Sequence, residues 1–82
     1  SRKARKQWIE VFDAEFERFC ASVDAGRETC LDPYAAEHEA EFFAVASEAF
    51  FESPNALQRE FPRLYDLFTG FYKQDPAQRL AA

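Results

Sequence analysis

Four polar side chains stand out between Tyr34 and Phe51: Tyr34 itself, His38, Glu41 and Glu48. Glu41 falls among Phe42, Phe43, Val45, Phe50 and Phe51. An unpaired charge buried in such company is too costly, so this carboxylate is solvated, paired or bound to a cation. Glu48 follows seven residues later, close to two helical turns and therefore on nearly the same face. Tyr34, seven residues ahead of Glu41, joins that face if its approach keeps the helical register. Two carboxylates and a phenol on one line can supply a metal ligand, an anchor for another ligand, and a donor to developing negative charge. The same line also reads as a polar stripe facing water, and spacing alone leaves both readings open.

His38 is the one histidine of the chain. With Glu41 it makes a His-x-x-Glu pair, a spacing that puts both side chains on one helical face, as in helical carboxylate metal sites. Catalytic zinc takes three protein ligands, so the pair is incomplete. The alternative is a solvated histidine at a helix N-terminus. No Gly-rich phosphate loop, Ser–His–Asp set or complete zinc motif is present. Cys20 and Cys30 are the two cysteines, too few for a disulfide framework. Cys20 reads as a buried apolar filler and Cys30 as a loop thiol. The chemistry-bearing residues look like part of a site whose remainder lies elsewhere.

Helices must position them. Trp8, Phe12, Phe16, Phe19, Cys20 and Val23 recur at three- and four-residue spacing, with Ile9 and Val11 widening the stripe, which predicts a first helix from about Lys3 to Ala25. Glu10, Asp13, Glu15, Glu17 and Arg18 fill its polar side, and Gly26 stands where a left-handed residue ends it. Arg27 to Ala36 reads as a loop in which Asp32-Pro33 is one helix start; a start nearer His38 is the other. The second helix covers roughly Glu37 to Glu52 and is apolar around much of its circumference, as a helix packed on more than one side must be. Ser53-Pro54 closes it and begins a short turn over Asn55 to Glu60. Phe61-Pro62 opens a last helix to about Lys73, and Asp75-Pro76 begins a terminal turn ending in Leu80.

The expected fold class is all-α: three main helices packed around the central aromatic-rich one, with short extra turns, in a single domain over residues 1–82. Eighty-two residues bury a modest core, but ten Phe, three Tyr and one Trp make it dense. The net charge of −5 is uneven. Arg2, Lys3, Arg5 and Lys6 form a basic start, whereas Glu28 to Glu52 holds seven acids and no Lys or Arg. No basic face continues past Lys6, so nucleic acid is not an expected partner. The absence of a secretory signal and of a long apolar run points to no membrane partner and a cytoplasmic location.

Three blocks carry a resemblance to a known family. Ala40-Glu41-Phe42-Phe43-Ala44-Val45-Ala46-Ser47-Glu48-Ala49-Phe50-Phe51, then Phe61-Pro62-Arg63-Leu64-Tyr65, then Phe71-Tyr72-Lys73-Gln74-Asp75-Pro76, resemble in order and spacing the C-terminal part of the Mlc titration factor A family. The similarity spans about Leu31 to Leu80. These are cytoplasmic zinc-dependent peptidases of the gluzincin type, associated with control of the glucose repressor Mlc. In them a His-Glu-x-x-His helix supplies two zinc ligands and the general base, and a later glutamate completes the ligand set. The resemblance implies that Glu41 is that glutamate, that Tyr34 is the phenol stabilising the oxyanion, and that Glu48 orients a ligand histidine.

The chain departs from the family by lacking His-Glu-x-x-His, and His38 stands where a capping Asn or Asp is expected. It also begins without Met, inside a charged helix. The expectation is therefore a C-terminal fragment of a longer metallopeptidase, with zinc and peptide substrate belonging to the parent. The fragment alone should neither bind zinc tightly nor cleave peptides. Its missing N-terminal lobe would leave aromatic surface exposed, which predicts self-association. The competing expectation is a non-enzymatic interaction module whose partner is a repressor protein of the Mlc type.

Overall fold

A computed structural model describes the backbone of residues 1–81 and the side chains of residues 1–78. Five helices follow one another: α1 (Arg2–Asp24), α2 (Glu39–Glu52), α3 (Pro54–Glu60), α4 (Pro62–Tyr72) and α5 (Pro76–Ala81). A 3-10 turn over Pro33–Glu37 precedes α2. The chain is all-α, and α1, α2 and α4 are its three main helices.

Local chemistry sets each boundary. Ser1 caps α1 by accepting from the Ala4 N–H at 3.1 Å. Gly26, at φ +71°, takes the left-handed conformation just past the Ala25 cap. His38 is extended and its Nδ1 accepts from the Ala40 N–H at 3.0 Å, so α2 begins at Glu39 rather than Glu37. Imidazole nitrogen here does what an Asn or Asp oxygen would do. Prolines occupy the start of α3, α4 and α5, where a missing N–H costs nothing. Asn55 to Glu60, expected as a turn, lies in the seven-residue helix Pro54–Glu60; Pro54 opens it and Leu57, fully buried, pins it to the core. Seven residues are too few for an apolar period to show.

The core is a chain of aromatic rings. Phe42 lies within 5.2–5.4 Å of Phe12, Phe16 and Phe19 of α1. Eight residues on, Phe50 stacks with Tyr72 at 5.6 Å and meets Tyr65 at 5.1 Å on α4. Between them Phe43 reaches Trp8, Phe68 and Phe71. Thus α2 contacts both other main helices, and Phe42, Ala46 and Phe50, at i, i+4 and i+8, are wholly buried. Trp8 near the start of α1 meets Phe71 at the end of α4, while Phe19 meets Phe61 at its beginning, so α1 and α4 run antiparallel.

Two positions on α1 differ from the stripe read in the sequence. Ile9 is 48% exposed, and Glu15, expected among the solvated acids, is 4% exposed. Glu15 tolerates burial because Arg18, one turn later, donates from Nε at 3.1 Å. Arg18 also lies 4.7 Å over the Phe61 ring. Ser47, a polar residue on α2, accepts from the Tyr72 hydroxyl at 2.7 Å and is a packing partner of α4. Both cysteines are free: Cys20 is half-buried with Sγ 3.5 Å from the Ala36 carbonyl, and Cys30 is exposed in the loop.

The helices form a thin layer, 34 × 33 × 16 Å between Cα extremes. Its thickness is that of two packed helix layers, an interaxial distance of about 8–10 Å plus a Cα radius of about 2.3 Å on each side. The accessible surface of 5544 Å² exceeds the about 5,000 Å² that a folded monomer of this mass has on average.

Candidate metal-ligating face

The outward side of α2 follows from what the inward side buries. With Phe42, Ala46 and Phe50 pointing into the core, the opposite arc carries Ala40, Glu41, Ala44, Glu48 and Phe51, all exposed. Glu41 and Glu48 share this arc because seven residues fall only about 20° short of two turns. The structure therefore brings these two sequence-predicted residues onto one face. Their spacing is twice that of the i, i+3 or i, i+4 pairs that share a metal on one helix, so they suit different roles.

Neither carboxylate has a hydrogen bond or ion pair among the described residues. Glu41 is solvated in this chain, the first of the states open to a charge in that sequence context. Tyr34 is 57% exposed. It sits in the 3-10 turn, and the extended backbone of His38 (φ −159°, ψ 144°) separates that turn from α2. The helical register from Tyr34 to Glu41 is broken, so their relation is set by the turn and not by period. Asp32 starts the turn as the sequence suggested, its Oδ1 accepting from the Tyr34 N–H at 2.9 Å.

His38 faces solvent, and its Nδ1 is engaged in the cap. Beside it, Glu39 approaches Asp13 of α1. A hydrogen bond with Asp13, then burial and the Asp13 charge, raise the Glu39 carboxyl above its usual value of 4.5. Burial, followed by the neighbouring acids Asp24, Glu17 and Glu39, raises the Cys20 thiol. Burial beside the Glu60 carboxylate pushes the Cys30 thiol up to about 12. Neither cysteine is therefore a ready thiolate.

Among the described residues no three His, Cys, Asp or Glu side chains gather where they could hold a metal. Among the described residues the donors on this face are separate oxygens and not a closed site. A charged node with little sequence signal lies where α1 meets the end of α3 and the start of α4: Glu15, Arg18, Glu60, Pro62 and Arg63 line a cleft. Its only sequence signal is the i, i+3 spacing of Glu15 and Arg18, since Glu60 arrives from 42 residues beyond Arg18.

An exposed acid on an aromatic helix, preceded by a tyrosine on a capped turn, is what this face offers. The profile of the glucose-regulated metallo-peptidase M90 family matches residues 1–73, and the chain belongs to that family. It is 44% identical over 75 residues to Mlc titration factor A of Edwardsiella ictaluri, covering 89% of this chain and 29% of that protein. To Mlc titration factor A of Pectobacterium atrosepticum it is 54% identical over 50 residues, covering 61% of this chain and 19% of that protein. The Serratia proteamaculans protein of the same name is 44% identical over 75 residues, with coverage of 89% and 29%. The chain thus spans less than a third of the length of these curated relatives. No solved structure matches it. No helix among the described residues is long and apolar enough to cross a membrane.

Proposed function

We propose that this chain is the C-terminal helical part of a cytoplasmic, zinc-dependent, aminopeptidase-like metallopeptidase, and that its contribution to the reaction is made from the outward face of α2 and the turn before it. Glu41 is the oxygen ligand, Tyr34 the oxyanion donor and Glu48 the carboxylate that orients a histidine ligand. The observation that carries the reading is the position of Glu41: a charge on an aromatic helix, exposed and unpartnered among the described residues, in a chain of the M90 family.

Zinc, when bound in the parent protein, supplies Lewis acidity at the peptide carbonyl. The rest is done by this chain's residues. The Glu41 carboxylate, rigid on α2, offers fixed negative charge with no competing cation to displace. The Tyr34 hydroxyl, free of partners among the described residues, can donate to an oxygen that gains charge during attack. Glu48, two turns along, accepts from an imidazole N–H and so fixes its tautomer and orientation. The chain lacks the imidazoles themselves, so no complete cycle runs on it alone.

The test uses the intact polypeptide. Glu41→Gln should lower both bound zinc and peptide hydrolysis by at least about 10²-fold, and Glu48→Gln by about 10–100-fold. Full zinc stoichiometry and an unchanged hydrolysis rate in Glu41→Gln would overturn the assignment. A second reading is favoured by the exposed rings: Phe51 is 43% and Phe71 53% exposed. In it the thin layer binds a protein partner, a repressor of the Mlc type as the relatives' name suggests. Glu41→Gln would then leave binding of that partner intact, while Phe71→Ser would abolish it.

A further inference from the structure

His38 interrupts the register, so helical period does not carry Tyr34 from α2; its turn is seated on α2 and α1 through the fully buried Ala35, and what remains to be fixed is the lead-in to that turn. The approach to it is the Arg27–Asp32 segment, which belongs to no helix, and a side chain from the end of α3 holds that segment. The Glu60 carboxylate accepts from the Thr29 hydroxyl at 2.5 Å and from the Cys30 N–H at 2.6 Å. Thr29 Oγ1 in turn accepts from the Leu31 N–H at 3.3 Å. Leu31 is a buried plug, and Asp32 immediately after it caps the turn that bears Tyr34. Glu60 is itself held from α1: Arg18 donates to its carbonyl at 2.9 Å while pairing with the buried Glu15. A continuous run of polar contacts therefore leads from α1 through Glu60 to Leu31, three residues short of Tyr34.

We infer that Glu60 is a positioning residue for Tyr34, latching the loop so that the phenol is presented at one fixed place beside α2. The inference rests on the reading of Tyr34 as oxyanion donor. Bonds to a carboxylate are about twice as strong as neutral ones, and here two converge on consecutive residues of a loop that has no ladder of its own. Without them the Cys30 N–H turns to water and the Thr29 hydroxyl, which accepts from the Leu31 N–H, loses its anchor, so the lead-in to the turn loosens. Misplacement of a catalytic group by about 1 Å can cost 10²-fold in rate.

The test measures peptide hydrolysis and amide hydrogen exchange on the intact protein. Glu60→Ala and Thr29→Val should lower kcat about tenfold with KM nearly unchanged. Amides from Cys30 to Ala35 should exchange faster, while those in α1 and α4 keep their protection. In a Tyr34→Phe background Glu60→Ala should cause little further loss of rate. Glu60→Gln, which keeps an acceptor for the Cys30 N–H, should recover part of the rate. Unchanged kcat and unchanged exchange in Glu60→Ala, with Tyr34→Phe impaired, would overturn the inference. So would loss of protection across all helices, which marks Glu60 as merely structural. If Tyr34→Phe hydrolyses at the normal rate, the assignment of Tyr34 fails, and with it Glu60's role in the reaction.

Discussion

Removing one oxygen atom from Tyr65 separates buried polar bookkeeping from simple packing. Tyr65 is 1% exposed, and its hydroxyl donates to Asp75 Oδ1 at 2.5 Å while accepting from the Ala77 N–H at 2.9 Å. The pair fastens the start of α5 to α4. In Tyr65→Phe the ring and its contacts with Phe50 remain, so little apolar burial is lost. Asp75 is exposed and regains water, which limits that loss to about 1 kcal/mol. Ala77 is 4% exposed, and stranding its N–H costs about 1–3 kcal/mol more. The sum of about 2–4 kcal/mol is large beside the roughly 4–12 kcal/mol that a domain of this length commands. With a urea slope near 1 kcal/mol/M for so small a domain, the midpoint should fall by about 2 M or more. Asp75→Ala, which removes only the exposed partner and leaves the hydroxyl to serve Ala77, should fall by half as much or less. Equal midpoints for the two variants, or a shift in Tyr65→Phe below about 0.5 M, would show that the Ala77 N–H is not stranded by loss of the hydroxyl.

Three further outcomes follow from the geometry. Glu39 has its carboxyl raised by Asp13, so its protonated form favours the fold: that contribution is complete below the ordinary value of 4.5 and is lost as pH rises through the raised one. Glu39→Gln should therefore be more stable than the parent at pH 7, with the advantage vanishing towards pH 4 in thermal melts. Lys73 caps α4 at φ 55°, and Lys73→Gly should raise stability by about 0.5–1 kcal/mol in urea titrations, because glycine meets no steric cost there. The isolated chain should self-associate through Phe71 and its neighbours, giving a light-scattering mass above 9.5 kDa that falls towards it in Phe71→Ser; a strictly monomeric parent would count against this.

Much of the fold is written locally. Gly26 and the prolines at 54, 62 and 76 mark boundaries that depend on backbone chemistry within a few residues. The ring spacing on α1 and α2 gives the core for the same reason. What escaped the sequence depends on distant partners. Glu15 looks solvated until the fold closes over it and Arg18, one turn later, pairs with it while reaching the Glu60 carbonyl from the distant α3, and the α3 segment is too short for periodicity to distinguish helix from turn. Ile9 fits the apolar stripe by period yet lies outside the contacts that α2 and α4 make. At the candidate site, Glu41 and Glu48 were readable because one unbroken helix carries both. The placement of Tyr34 was not, since His38 ends the register between them, and the residue that holds its loop comes from another helix.

Whether Glu41 ligates zinc is decided by crystallography of the intact polypeptide at the zinc absorption edge. The expected result is an anomalous peak with a Glu41 carboxylate oxygen about 2.0–2.2 Å away. A zinc ion coordinated elsewhere, with Glu41 pointing into bulk water, would contradict it.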